Sequence, residues 1–146
     1  MPTPRKVDRL LRKVDRLLVE AAHAALRNAY APYSQVRVGV AIRTESGAIF
    51  AGCNVETVAH TGVCAEQSAV SAAVAAGQRR LTEVYVVSNL PTPIPPCGRC
   101  RQTLWEHGSP EIRVTWENED GASQTATLGE LLPFAFGQEH LTNLQG

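Results

Sequence analysis

A chain of 146 residues, with 14 Lys and Arg balanced by 14 Asp and Glu, has room for one domain with its own core and none for a second. Zero formal net charge and the lack of a basic stripe argue against a nucleic-acid partner and for a small-molecule substrate. No apolar run approaches the ~20 residues of a membrane span and no apolar leader opens the chain, so a cytoplasmic protein without a membrane partner is expected.

The whole of 1–146 is expected to form this single domain, opening with an amphipathic helix over residues 1–30. Residues 5–11 and 12–18 are one heptapeptide, RKVDRLL, written twice. Val7, Leu10, Leu11, Val14, Leu17 and Leu18 recur three and four apart and make one apolar stripe. The basic residues between them, interleaved with Asp8 and Asp15, read as a solvated face. Pro32 ends the helical pattern. Residues 36–42 and 48–55 read as strands joined by a turn at Glu45-Ser46-Gly47, hence a hairpin, with Asn54 and Glu56 at its exit. Residues 64–76 form an alanine-rich helix stopped by Gly77. Residues 83–88 are a buried strand, 98–107 a second helix after the proline-dense stretch 91–96, and 111–116 a further strand. After a turn at 118–121, residues 124–127 read as a short extended piece and 128–132 as a short helix ended by Pro133. This order predicts an α/β fold: a three-layer α/β/α sandwich around a mixed five-stranded sheet with the hairpin at one side.

Chemistry concentrates at two helix starts. Cys64-Ala65-Glu66 places a thiol and a carboxylate in the first turn of one helix, and Pro96-Cys97-Gly98-Arg99-Cys100 delivers two more thiols to the start of the next. Four cysteines could pair as disulfides, but the expected reducing setting favours metal binding, redox chemistry or ordinary buried thiols for the C-x-x-C. Cys53, on an apolar strand, reads as a small buried hydrophobe. Three thiolates would leave the fourth tetrahedral position of a zinc ion open for water, as catalytic zinc requires. A carboxylate beside that water can carry protons, and the unpaired N–H groups of a helix start favour thiolate over thiol. The spacing is that of the zinc nucleobase deaminases.

The chain resembles the small cytidine deaminases along nearly its whole length. The resemblance is carried by Ala29-Tyr30-Ala31-Pro32-Tyr33-Ser34, Val38-Gly39, Gly52-Cys53-Asn54-Val55-Glu56, Cys64-Ala65-Glu66, Pro96-Cys97-Gly98-Arg99-Cys100-Arg101-Gln102, Leu131-Leu132-Pro133 and Phe136-Gly137. It implies that Cys64, Cys97 and Cys100 ligate one Zn2+ per subunit and that Glu66 is the proton shuttle. It further implies that Asn54 and Glu56 bind the ribose, that Phe136 lies near the base, and that the chain forms a homotetramer. The implied reaction is hydrolytic deamination of cytidine and deoxycytidine in pyrimidine salvage, a water attacking C4 while Glu66 protonates N3 and then helps the amino group leave.

Several positions depart from the family pattern. Gln67 stands where arginine commonly follows the catalytic Glu, so Arg101, with Arg99, is expected to offset thiolate charge instead. The loop of residues 57–63 is one residue short, His60 replaces a family tyrosine as a candidate substrate contact, and Val36 replaces phenylalanine. The shortened loop is somewhat like that of the blasticidin-S deaminases, which leaves a modified nucleoside such as 5-methylcytidine or blasticidin S as the alternative substrate. A non-catalytic zinc protein is disfavoured by Glu66, for which structural zinc has no use.

Overall fold

A computed structural model describes residues 13–144. Its five strands are β1 (Val38–Thr44), β2 (Ile49–Cys53), β3 (Leu81–Ser88), β4 (Arg113–Glu117) and β5 (Ser123–Thr127). They form one sheet in the order β2-β1-β3-β4-β5, parallel between β3 and β4 and antiparallel elsewhere. The helices are α1 (Arg16–Arg27), α2 (Ala65–Ala75), α3 (Gly98–His107) and the single turn α4 (Leu128–Leu131), followed by 3-10 turns at Gln138–His140 and Thr142–Leu144. This is the α/β sandwich the pattern predicts.

Side-chain alternation divides the core between two faces. On one, Val40, Ile42, Val84, Val86 and Val114 pack against Ala69, Val70 and Ala73 of α2 and Leu104 of α3; on the other, Ala41, Tyr85 and Val87 meet Leu18 and Ala22 of α1. Two glycines set how closely the layers approach. A Cβ on Gly39 would lie 2.2 Å from the Ala22 carbonyl oxygen of α1, and one on Gly52 would lie 2.4 Å from the Ala69 nitrogen of α2. Backbone thus rests on backbone at both places, and the short alanines of α2 continue that close seat on the hairpin.

Within the described residues the helix expected over 1–30 is interrupted. Residues 13–15 are not helical, and α1 begins at Arg16 with Asp15 as its cap, its carboxylate accepting from the Leu17 N–H at 2.8 Å. Aspartate at that place offers an orphan donor a partner and so marks a helix start more strongly than a helix interior. The first heptapeptide and the expected helix over its length lie outside the described residues. Cys53 is half-buried on the edge strand, less enclosed than expected.

Candidate active site

Cys64 caps the N-terminus of α2 and Cys97 that of α3, while Cys100 lies within the first turn of α3 and is fully buried. Their three sulfur atoms fall within 4.8 Å of one another. Zinc with Zn–S bonds of about 2.3 Å would draw three tetrahedral thiolates to about 3.8 Å apart, so the cluster fits that ion with little adjustment, and thiolate is the donor type that selects it. Burial pushes the Cys64 and Cys100 thiols above their ordinary value, and the nearby Glu66 carboxylate pushes in the same direction at both. A dication reverses that bias by favouring the deprotonated ligands.

Glu66 sits in the first turn of α2, 5% exposed, with Cys100 within hydrogen-bonding reach. Burial raises its pKa, so this carboxyl accepts a proton more readily than a surface glutamate. Gln67 completes the helix start, its Oε1 accepting from the Cys64 N–H at 3.3 Å. The residue that replaces the family arginine therefore holds the backbone of a ligand cysteine, a role residue type alone does not reveal.

Two adjoining hollows meet at Asn54 and Cys64. The smaller, about 190 Å3, is bordered by Glu66, Cys97, Val86, Ile94 and Pro95. The larger, about 400 Å3, is bordered by Tyr33, Ser34, Glu56, Thr57, His60 and Val63. Together they form one cleft with the thiols and Glu66 at its inner end and the exit of the hairpin at its outer end.

Asn54, Glu56 and His60 all border this cleft. The first two also do structural work. The Asn54 amide donates to the Val36 carbonyl at 2.8 Å and accepts from the Val38 N–H at 2.9 Å, fixing the chain that leads into β1. Glu56 accepts from the N–H groups of Tyr33 and Ser34, each at 3.1 Å, and from the Ser34 hydroxyl. These bonds, Ser34's hydroxyl first, hold the Glu56 carboxyl below its ordinary pKa, and it stays ionised. Asn89 adds a further clamp, accepting from the Arg37 N–H at 2.9 Å and donating to the carbonyl of Gln35, whose φ is +63°. Neither Ser34 nor Asn89 stands out as functional in the sequence, although Ser34 belongs to a block that carries the resemblance.

Arg101 and Arg99 border neither hollow. Arg101 donates through Nε to the Pro96 carbonyl at 2.7 Å and through Nη1 to the Leu131 carbonyl at 2.8 Å, tying the Cys97 turn to α4. Arg99 is exposed. Phe136 is 57% exposed, stacks on His140 with centroids 5.4 Å apart, and borders neither hollow.

Three clustered thiols with a buried carboxylate beside them, at helix starts over a mixed sheet, make a site suited to a zinc ion with an open position and a proton carrier next to it. Residues 12–115 match the family described as the cytidine and deoxycytidylate deaminase zinc-binding region. A cytidine deaminase of Sporosarcina psychrophila is 38% identical over 130 residues, covering 88% of this chain and 95% of that one. One from Mycobacterium tuberculosis is 40% identical over 121 residues, 82% of this chain and 87% of the relative. The crystal structure of cytidine deaminase from Burkholderia pseudomallei superposes with a TM-score of 0.80 at 42% identity, covering 85% of this chain and all of that one. The chain belongs to the cytidine deaminase family.

Proposed function

We infer that the chain hydrolytically deaminates cytidine and deoxycytidine, releasing ammonia and leaving uridine and deoxyuridine. The observation that carries this reading is the convergence of Cys64, Cys97 and Cys100 with buried Glu66 at the inner end of the cleft. Zinc held by the three thiolates would lower the pKa of a water and supply it as the nucleophile. The rest of the chemistry falls to the chain. Glu66, with its raised proton affinity, takes the proton the water gives up, delivers it to N3 as the oxygen adds at C4, and then passes the proton of the new hydroxyl to the amino nitrogen as the C4–N bond breaks. Val86, Ile94 and Pro95 give the base apolar surface to lie against. With the base there, the sugar falls in the larger hollow beside Asn54, Glu56 and His60.

Finer features of this reading rest on fewer supports. A free nucleoside substrate suits pyrimidine salvage, and balanced charge gives a nucleic acid no long-range attraction. Reduced thiols suit the cytoplasm, and no helix among the described residues is long and apolar enough to cross a membrane. A homotetramer is supported by exposed Phe134, Phe136 and Leu144, which assembly would cover and which would give Phe136 a route to a neighbouring subunit's base site.

Ammonia release by zinc-loaded protein on cytidine, deoxycytidine, 5-methylcytidine and blasticidin S, with Glu66→Gln as the blank, tests the function. Turnover of the two unmodified nucleosides that disappears with Glu66 is expected. Preference for either modified substrate would reassign the activity, and stoichiometric zinc with no turnover of any of the four would refute it.

A further inference from the structure

The three thiols are not held alike. Cys100 is fully buried in the first turn of α3, and the Cys64 N–H is bonded to the Gln67 side chain. Cys97 is exposed, and a Cβ on its neighbour Gly98 would have nothing within 4 Å, so no packing on that side fixes it. It also follows Pro95 and Pro96, neither of which has an N–H with which to tie the chain down. The one backbone group Pro96 can offer is its carbonyl, and because Pro96 is fully buried that oxygen needs a partner.

Arg101 supplies it. Its Nε–H donates to the Pro96 carbonyl at 2.7 Å and its Nη1 to the Leu131 carbonyl at 2.8 Å, while its own backbone N–H donates to the Cys97 carbonyl at 2.9 Å. One residue therefore holds the carbonyls on both sides of the Cys97 Cα. The far end of the brace is firmly anchored. In α4, Leu128 is fully buried and its N–H donates to the Ile112 carbonyl at 3.0 Å, and the Gly129 N–H donates to the Pro110 carbonyl at 2.9 Å. The Leu131 carbonyl is among those that a helix end leaves unpaired within its own turn. A planar guanidinium can fix two carbonyls in two directions at once, which a single ammonium cannot do.

We propose that Arg101 is a positioning residue for the zinc ligand Cys97, aiming the exposed thiol at the other two by bracing the Pro96–Cys97 peptide against α4. It acts by geometry and not by offsetting thiolate charge, since both bonds of its guanidinium go to backbone carbonyls. The metal site thereby gains a support 30 residues further along the chain than Arg101 itself. The proposal rests on the zinc site and is independent of which nucleoside is bound.

Cobalt, which accepts the same donor set as zinc, makes the ligation visible through its thiolate charge-transfer absorption, and reading that band per bound cobalt confines it to folded, metal-bearing protein. Arg101→Lys keeps the charge and loses the fork; Arg101→Gln loses both. Both variants should lose about a third of the band, as one thiolate of three drops away, and both should release zinc to a chelator about tenfold faster. Gln102→Ala is the control. Its amide ties the same C-terminal stretch through the Phe136 carbonyl at 2.8 Å without touching the Pro96–Cys97 peptide, so band and release should match the unaltered protein. Restoration of both readouts by Lys but not by Gln would make charge the role of Arg101 and overturn the proposal. So would two variants that match the unaltered protein, or faster release with a full band, which a general loosening of the fold would give. No thiolate band in the unaltered protein would remove the metal site and the brace with it, whereas a normal band without ammonia release from cytidine would count against the deaminase reading alone.

Discussion

Glu66 shows how one buried carboxyl serves both chemistry and stability. Its placement beside the thiols makes it the proton carrier, and replacing it with Gln should lower kcat on cytidine by a factor of about 10^2–10^4 or more with zinc content retained. The same burial has a consequence for the metal-free protein. Because its folded pKa is raised, the folded state holds the proton more tightly than the unfolded chain does, so this stabilising contribution is full below the ordinary carboxylate value and is lost as pH rises through the raised one. Glu66→Gln removes that loss: the two metal-free proteins should melt together at about pH 4, and the variant should melt higher by about pH 7. The buried thiols titrate against the metal. Cys64 and Cys100 must each shed a tightly held proton to ligate, so competition with a chelator should show zinc held more weakly at about pH 6 than at about pH 8, with protons released on uptake. At this scale the sequence is explicit about donor types, and Cys64, Glu66, Cys97 and Cys100 are legible as a set. The hydrogen bonds of Glu56 to Tyr33 and Ser34 are not, because they depend on two loops distant in the chain being folded against each other.

Among elements, the seat of α2 on β2 controls the site, since α2 carries Cys64 and Glu66 at its start. Gly52→Ala drives a methyl group into the α2 backbone, where no flexible side chain can yield. Thermal unfolding should show a loss of about 1–3 kcal/mol, accompanied by poorer zinc retention. Gly121→Ala is the control: a Cβ there meets nothing, and only its φ of +86° is unfavourable, so about 1 kcal/mol is expected with zinc unaffected. Asp15→Ala removes the cap of α1 and should cost about 1 kcal/mol in the same assay. Helix and strand order is readable from periodicity and from glycine and proline punctuation. The start of α1 is less so, because the RKVDRLL stripe continues across an aspartate that in the structure caps the helix. The last strand is faint for a different reason: Ser123-Gln124-Thr125-Ala126-Thr127 has little apolar alternation, and its strand character comes from pairing with β4.

For the molecule as a whole, Phe134 is fully exposed at φ +52°, and Phe136 and Leu144 are exposed beyond it. If assembly covers them, Phe134→Asp should lower the sedimenting mass below that of a tetramer at micromolar concentration, and an unchanged mass would remove Phe134 from the contact. Inside the subunit, the three sulfurs link the start of α2 to the start of α3 and so bracket everything from residue 64 to residue 100, including the central strand β3. A metal joining those ends is a cross-link: it deprives the unfolded chain of the freedom of a long loop, an effect of about 3–4 kcal/mol for a covalent bridge of that span. Chelation should therefore do more than silence the enzyme. Amide exchange should quicken along α2, β3 and α3 together, as a belt unbuckled at one point slackens along its whole length.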